Sequence, residues 1–81
     1  MKRYGTKFEI YDIVRIKGGD YSDHVRSLMG GSIGTVCAIK KPRKHELDRR
    51  VRYYVKLRYP VGENGWIKSH VFYDNEIELF N

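Results

Sequence analysis

The sequence predicts an all-β protein folded as a small five-stranded barrel. Segments rich in Tyr, Val and Ile recur at regular spacing, and eight glycines punctuate them. A chain of 81 residues is too short for a two-sheet sandwich with a large core, whereas a strongly bent barrel buries more of its apolar surface. The five predicted strands cover residues 8–17, 33–40, 51–59, 66–73 and 74–80.

The first predicted strand has an interrupted apolar face. Asp12 falls among the apolar residues of one parity, and a turn or bulge at Tyr11–Asp12 explains this break. The apolar residues of that parity are Phe8, Ile10, Val14 and Ile16.

Residues 20–32 form a long loop between the first two strands. Ser22 or Asp23 is suited to cap one helical turn, and Gly30 is suited to end it. Apolar residues spaced by three and four positions would place an apolar face of this turn over one end of the barrel. They are Val25, Leu28 and Met29.

The second and third strands carry the clearest local signals. Gly34 indicates a bulge or the close approach of a neighbouring backbone. In residues 51–59, strict alternation predicts one buried and one exposed face. The inward residues are Val51, Tyr53, Val55 and Leu57, and the outward residues are Arg52, Tyr54, Lys56 and Arg58. Asn64–Gly65 is typical of a hairpin turn, and Asp74–Asn75 favours a tight turn before the last strand.

Length and composition predict a single domain over residues 1–81, with an ordered core at about 8–80. No segment approaches the roughly 20 consecutive apolar residues of a transmembrane helix. The N-terminus lacks the apolar region of a signal peptide. We therefore expect a cytoplasmic protein without a membrane partner.

Residue types that form metal and catalytic sites are few and scattered. Cys37 is the single cysteine, so we expect no internal disulfide and no structural zinc site, and we predict that its side chain is buried. The chain contains no nucleophile elbow, HExxH motif or phosphate-binding loop. We expect no enzyme activity, no catalytic residue, no metal and no cofactor.

The net charge of +6 is concentrated in one segment. Residues 40–52 contain seven basic and two acidic residues, a net charge of +5, whereas the rest contains nine basic and eight acidic residues, a net charge of +1. Such localisation indicates an anionic partner, nucleic acid above all. The segment is equally compatible with a solvated hairpin tip in which Glu46 and Asp48 pair with neighbouring cations.

The basic segment continues into the outward face of the third strand. A tyrosine flanked by cations can stack on bases while the cations contact phosphates, although Tyr and Arg also suit any half-exposed strand. The predicted nucleic-acid-binding residues are Lys40, Lys41, Arg43, Lys44, Arg49, Arg50, Arg52, Tyr54, Lys56 and Arg58.

The opening of the chain resembles the KOW-type start of SH3-like barrels. In that pattern, Gly-Asp-x-Val-x-Val leads through a glycine-bounded loop to Gly-x-x-Gly-x-Val-x-x-Ile. Tyr11 stands here at the first glycine. The matching residues are Asp12, Val14, Ile16, Gly18, Gly31, Gly34, Val36 and Ile39. The segments "YYVKL" and "FYDNEIEL" look like the third strand, the short helical turn and the last strand of such barrels.

The resemblance implies an SH3-like barrel of the kind common in bacterial, phage and prophage proteins, and related barrels bind RNA, DNA, peptides or proteins. Fold alone does not decide among these partners. Our leading hypothesis is a non-catalytic nucleic-acid-binding module. The alternative is a protein-interaction module, for instance a phage or prophage factor that docks on a host protein. Its candidate contact residues are Leu28, Met29, Trp66 and Tyr73.

Overall fold

The computed structural model describes residues 6–18 and 28–80. They form one antiparallel sheet of five strands, in the spatial order β4-β3-β2-β1-β5. The Cα radius of gyration is 12.7 Å, close to the roughly 12 Å expected for a compact domain of this length. The strands are β1 (Ile13–Ile16), β2 (Ile33–Lys40), β3 (Arg52–Val61), β4 (Ile67–Tyr73) and β5 (Ile77–Leu79).

The chain runs as a meander through the first four strands, and the fifth strand returns to the first. β5 pairs with β1 through Val14–Leu79 and Ile16–Ile77, while β4 pairs only with β3. No pairing joins β4 to β5 in the described part of the chain, so the sheet is open. The all-β prediction with five strands is confirmed, whereas closure into a barrel is not observed.

The core lies on one face of this bent sheet. Alternation places buried residues from all five strands on that face, and Phe8 and Met29 from the flanking segments complete it. The ring of Phe8 meets the ring of Tyr53 edge-on, with centroids 5.2 Å apart. The buried apolar residues are Phe8, Val14, Ile16, Met29, Val36, Tyr53, Val55, Leu57, Ile67, Phe72 and Ile77.

The first strand is shorter than predicted because a turn precedes it. The backbone N–H of Asp12 donates to the carbonyl of Glu9 at 3.1 Å, and the Asp12 carboxylate accepts the Glu9 N–H at 2.9 Å. Asp12 therefore closes the predicted turn, and β1 begins only at Ile13. The turn exposes Ile10, so the prediction that Ile10 shares the buried face is wrong.

β2 covers the predicted residues, and Gly34 lies where β3 approaches closely. A Cβ atom at Gly34 would lie 2.6 Å from both the Lys56 carbonyl oxygen and Val55 Cγ1. The irregularity itself falls three residues later. The β2–β3 register shifts between Val36 and Ala38, which leaves Cys37 as an extra residue in the ladder. Its thiol is exposed, so the predicted burial of Cys37 is wrong.

The hairpin between β3 and β4 confirms the predicted turn. Asn64 and Gly65 both have positive φ, at 59° and 63°, within a single 3-10 turn at Glu63–Gly65. The turn at Asp74–Asn75 is also confirmed, because the N–H of Glu76 donates to the Tyr73 carbonyl at 3.0 Å. This second connection is a tight turn, not the short helical turn expected before the last strand.

Most of the helical turn predicted within residues 20–32 lies outside the described residues. Two of its apolar residues are described. Met29 is fully buried in the core, which agrees with an apolar face packed on the sheet, and Leu28 is about half exposed.

Candidate nucleic-acid interface

The basic segment forms a folded loop between β2 and β3. The N–H of Glu46 donates to the Arg43 carbonyl at 3.1 Å and closes a turn at the loop tip. Arg49 Nη1 crosses back to donate to the Arg43 carbonyl at 2.8 Å and lies 3.4 Å from that of Lys44. These hydrogen bonds hold the tip together. Carbonyl acceptors do not neutralise a guanidinium, so Arg49 remains a cation.

A second group of contacts attaches the loop to β4. The Asp48 carboxylate accepts hydrogen bonds from Arg50 Nε at 3.0 Å, from Arg50 Nη2 at 3.1 Å and from the Tyr73 hydroxyl at 3.0 Å. The Arg50 guanidinium carbon lies 3.6 Å from the centre of the Tyr73 ring. We call these three residues, Asp48, Arg50 and Tyr73, the loop clamp.

In the loop clamp, Asp48 and Arg50 stabilise each other's charged form. The Arg50 side-chain hydrogen bonds, followed by a hydrogen bond from the Arg50 backbone N–H and one from Tyr73, hold the pKa of Asp48 well below its usual range. The Asp48 carboxylate in turn raises the pKa of Arg50. Both groups are therefore charged at neutral pH.

A third contact joins the loop to the start of β3. Arg52 Nη2 donates to Glu46 Oε2 at 2.9 Å, and both side chains are about two-thirds buried. The local pairing that the sequence suggested for Glu46 and Asp48 is thus present, with Arg52 and Arg50 as partners. These two ion pairs offset part of the segment's positive charge and position the loop beside the sheet.

The outward face of β3 continues onto the two strands that flank it, β2 and β4. Residues directly opposite in an antiparallel ladder point to the same face. Three cross-strand rows follow from the register: Lys40–Arg52–Tyr73, Ala38–Tyr54–Val71 and Thr35–Lys56–Ser69. The loop lies against the first row, through Glu46 on Arg52 and Asp48 on Tyr73.

Tyr54 occupies the middle row between two small side chains. It is 37% exposed, and its neighbours Ala38 and Val71 are too short to rise above a phenol ring. Cys37 lies beside this row, with its thiol 3.3 Å from the Tyr54 carbonyl oxygen. About a third of Tyr54 is therefore accessible from solvent in the middle of the face.

Several of the predicted cations surround this face without a counterion. Within residues 6–18 and 28–80, no ion pair involves the side chains of Lys40, Arg43, Lys44, Lys56 or Arg58, and all five residues are exposed. Lys41 is also exposed and makes a contact of its own. The structure thus brings Lys40, Arg52, Tyr54 and Lys56 onto one face, with the basic loop at its edge.

Two features of the loop are not evident from the sequence patterns. Asp48 was interpreted only as a local ion-pair partner, whereas it also contacts Tyr73 on β4. Leu47 is fully exposed between two acidic residues that point back to the sheet. The sequence signal for Leu47 is its position as the single leucine of the basic segment.

The residues considered for protein binding do not form one surface. Trp66 is 60% exposed and lies against Gly62, where an added Cβ would be 2.7 Å from the indole nitrogen. This position is at the far end of β3, roughly 30 Å from Arg52 for a ten-residue strand. Tyr73 belongs to the loop clamp, and Met29 is buried, so it does not reach the surface.

Among residues 6–18 and 28–80, no group of three or more His, Cys, Asp or Glu side chains is arranged to hold a metal ion. The same residues include no helix with the length and apolar character needed to cross a bilayer.

Comparisons with protein-family models, curated proteins and solved structures found no match for this chain. The class of protein is therefore defined by its own fold and surface. It is an all-β chain with one five-stranded antiparallel sheet, and one outward face carries a tyrosine and a rim of cations.

Proposed function

We propose that this protein is a non-catalytic nucleic-acid-binding module. The observation that carries the proposal is the partly exposed Tyr54 in the centre of a three-strand face, bordered by Lys40 and Lys56. Cations give affinity for phosphates, and an accessible aromatic ring adds stacking on bases. The folded basic loop extends this positive region beyond the edge of the sheet.

We also propose that the fold is SH3-like with a KOW-like opening. The return of β5 to β1 pairs the last strand with the first, as a small bent barrel requires. Tyr11 stands where the KOW pattern has glycine, and its φ of 77° is a conformation that glycine adopts readily. Gly31, another position of the pattern, also has a positive φ, of 85°.

Fluorescence polarisation of a labelled oligonucleotide across a salt series tests the function. Phosphate contacts release counterions, so affinity should fall steeply with salt, and each contact removed should reduce the slope of log K against log salt by roughly 0.7–0.9. We expect Lys40→Gln/Lys44→Gln to weaken binding and flatten the slope. The matched comparison for single charges is Lys44→Gln against Lys68→Gln, which removes one exposed lysine from β4.

Cys37 supplies a second measurement that does not depend on charge. Its thiol is exposed beside Tyr54, so bound oligonucleotide should slow its alkylation. Undetectable binding at low salt, or equal weakening by Lys44→Gln and Lys68→Gln, contradicts the proposed function.

A protein-interaction module is the second candidate, and exposed Trp66 favours it. Large aromatic side chains are frequent energetic centres of protein interfaces. Because Trp66 is at the opposite end of β3 from the loop, the two candidate functions can be tested separately. A stoichiometric partner that survives nuclease treatment and is lost with Trp66→Ala would support this second function.

A further inference from the structure

The loop clamp presents a flat cation with a fixed orientation. Two hydrogen bonds to one carboxylate and the Tyr73 ring beneath it determine the plane of the Arg50 guanidinium. The Arg50 side chain is nevertheless 59% exposed. One side of the guanidinium is covered by Tyr73, and much of the remaining surface faces solvent.

The ring that supports this plane is a diagonal neighbour of Tyr54. Tyr54 is directly opposite Val71, and Tyr73 is two residues further along the same strand. The Cα atoms of such diagonal neighbours lie roughly 7–8 Å apart, and both side chains point to the outward face. The face therefore carries two stacking surfaces side by side, one aromatic and one a guanidinium supported by an aromatic ring.

Resting on the proposed function, we propose that Tyr54 and the Tyr73-supported guanidinium of Arg50 stack on two unpaired bases, which makes this surface specific for single-stranded nucleic acid. Bases in a duplex strand are stacked roughly 3.4 Å apart, so their faces are covered by neighbouring bases. An unstacked single strand can separate its bases and place one on each surface.

Charge supports a single strand as the occupant. Lys40 and Lys56 lie in the rows on either side of Tyr54, so phosphates of a strand crossing the face meet cations before and after the stacked base. Asp48 lies at the edge, where its negative charge is offset by Arg50.

The test is the ratio of affinities for a short oligothymidylate or oligouridylate and for a DNA duplex of the same length, at one salt concentration. Arg50→Lys keeps the charge but loses the planar guanidinium, and Tyr54→Ala removes the other surface. We expect each change to weaken single-strand binding by about ten-fold with little effect on the duplex. Arg15→Lys on β1, an arginine outside the predicted binding residues, is the control for the same exchange and should leave the ratio unchanged.

Asp48→Asn separates stacking from charge. This variant removes one negative charge, so binding by charge alone should tighten for both ligands. Weaker hydrogen bonds to residue 48 would leave the Arg50 guanidinium less well oriented, which should instead lower the ratio of single-strand to duplex affinity. Circular dichroism verifies that each variant is folded.

The outcomes distinguish the two proposals. Absence of binding to either ligand at low salt overturns the proposed function and this inference together. Equal affinity for single strand and duplex, or a ratio unaffected by both Arg50→Lys and Tyr54→Ala, overturns only the inference. A ratio that falls with Tyr54→Ala but not with Arg50→Lys overturns the role of Arg50.

Discussion

At the scale of single residues, close backbone approach makes one glycine indispensable to the sheet. Gly34 is buried on β2, directly opposite Leu57 of β3. Atoms of β3 leave space there for a hydrogen atom but not for a Cβ. The neighbouring Lys56 carbonyl belongs to the β2–β3 ladder, so it cannot retreat without loss of strand pairing.

Gly34→Ala should therefore lower the free energy of unfolding by about 1–3 kcal/mol, the usual cost of an overpacked core position. Urea denaturation with a constant m-value measures this change. The control is Gly18→Ala, where an added Cβ would have no neighbour within 4 Å. Equal stability of the two variants would contradict the close approach of β2 and β3.

At the scale of elements, side-chain hydrogen bonds hold the β2–β3 loop against the sheet. Its two acidic residues contact neighbouring strands, Glu46 through Arg52 of β3 and Asp48 through Tyr73 of β4. Without them, a segment so rich in like charges would favour extended, separated conformations.

The loop clamp should persist far into acid. Asp48 has a depressed pKa, so its contribution to stability is present above the ordinary aspartate pKa of about 3.9 and is lost only as the pH falls through the lower folded-state value. Carbon-13 NMR of the Asp48 carboxyl should follow this titration. Arg50→Gln should raise the Asp48 pKa, since Arg50 is the main cause of the depression, whereas Arg43→Gln should not. Titration of wild-type Asp48 at the ordinary value would exclude the clamp.

At the scale of the whole molecule, the N-terminal segment completes the core of a small open sheet. Phe8 is 1% exposed, and the Tyr53 hydroxyl accepts a hydrogen bond from the N–H of Lys7 at 2.8 Å. An 81-residue domain has little apolar surface to spare, so this contribution is a large part of its stability.

Phe8→Ala should lower the free energy of unfolding by about 3–5 kcal/mol, most of the stability of a marginal small domain. Thermal unfolding followed by circular dichroism measures the effect. Tyr59→Ala removes a ring of comparable size that is 74% exposed, and it should change stability by no more than about 0.5 kcal/mol. A small effect at Phe8 would mean that residues 6–8 do not pack on the sheet.

The sequence predicts which residues belong to the candidate site, but it does not predict which of them contact one another. Local alternation correctly placed Arg52, Tyr54 and Lys56 on the exposed face of β3. The contact between Asp48 and Tyr73 joins residues 25 positions apart in sequence. No local pattern reports such a pairing, because it depends on the register that brings β4 beside β3.

The sequence by itself determined the number of strands, their alternation and the turns, since these depend on side-chain period and on backbone preferences within a few residues. The exposure of Ile10 also has a local cause, the turn at Glu9–Asp12. Tertiary structure alone decided that Cys37 is exposed, because the extra residue appears only when β2 is aligned with β3. It also decided that the basic loop folds back onto the sheet, through the contact of Asp48 with Tyr73. The physical reason is the same in both cases: these features depend on which distant strands become neighbours.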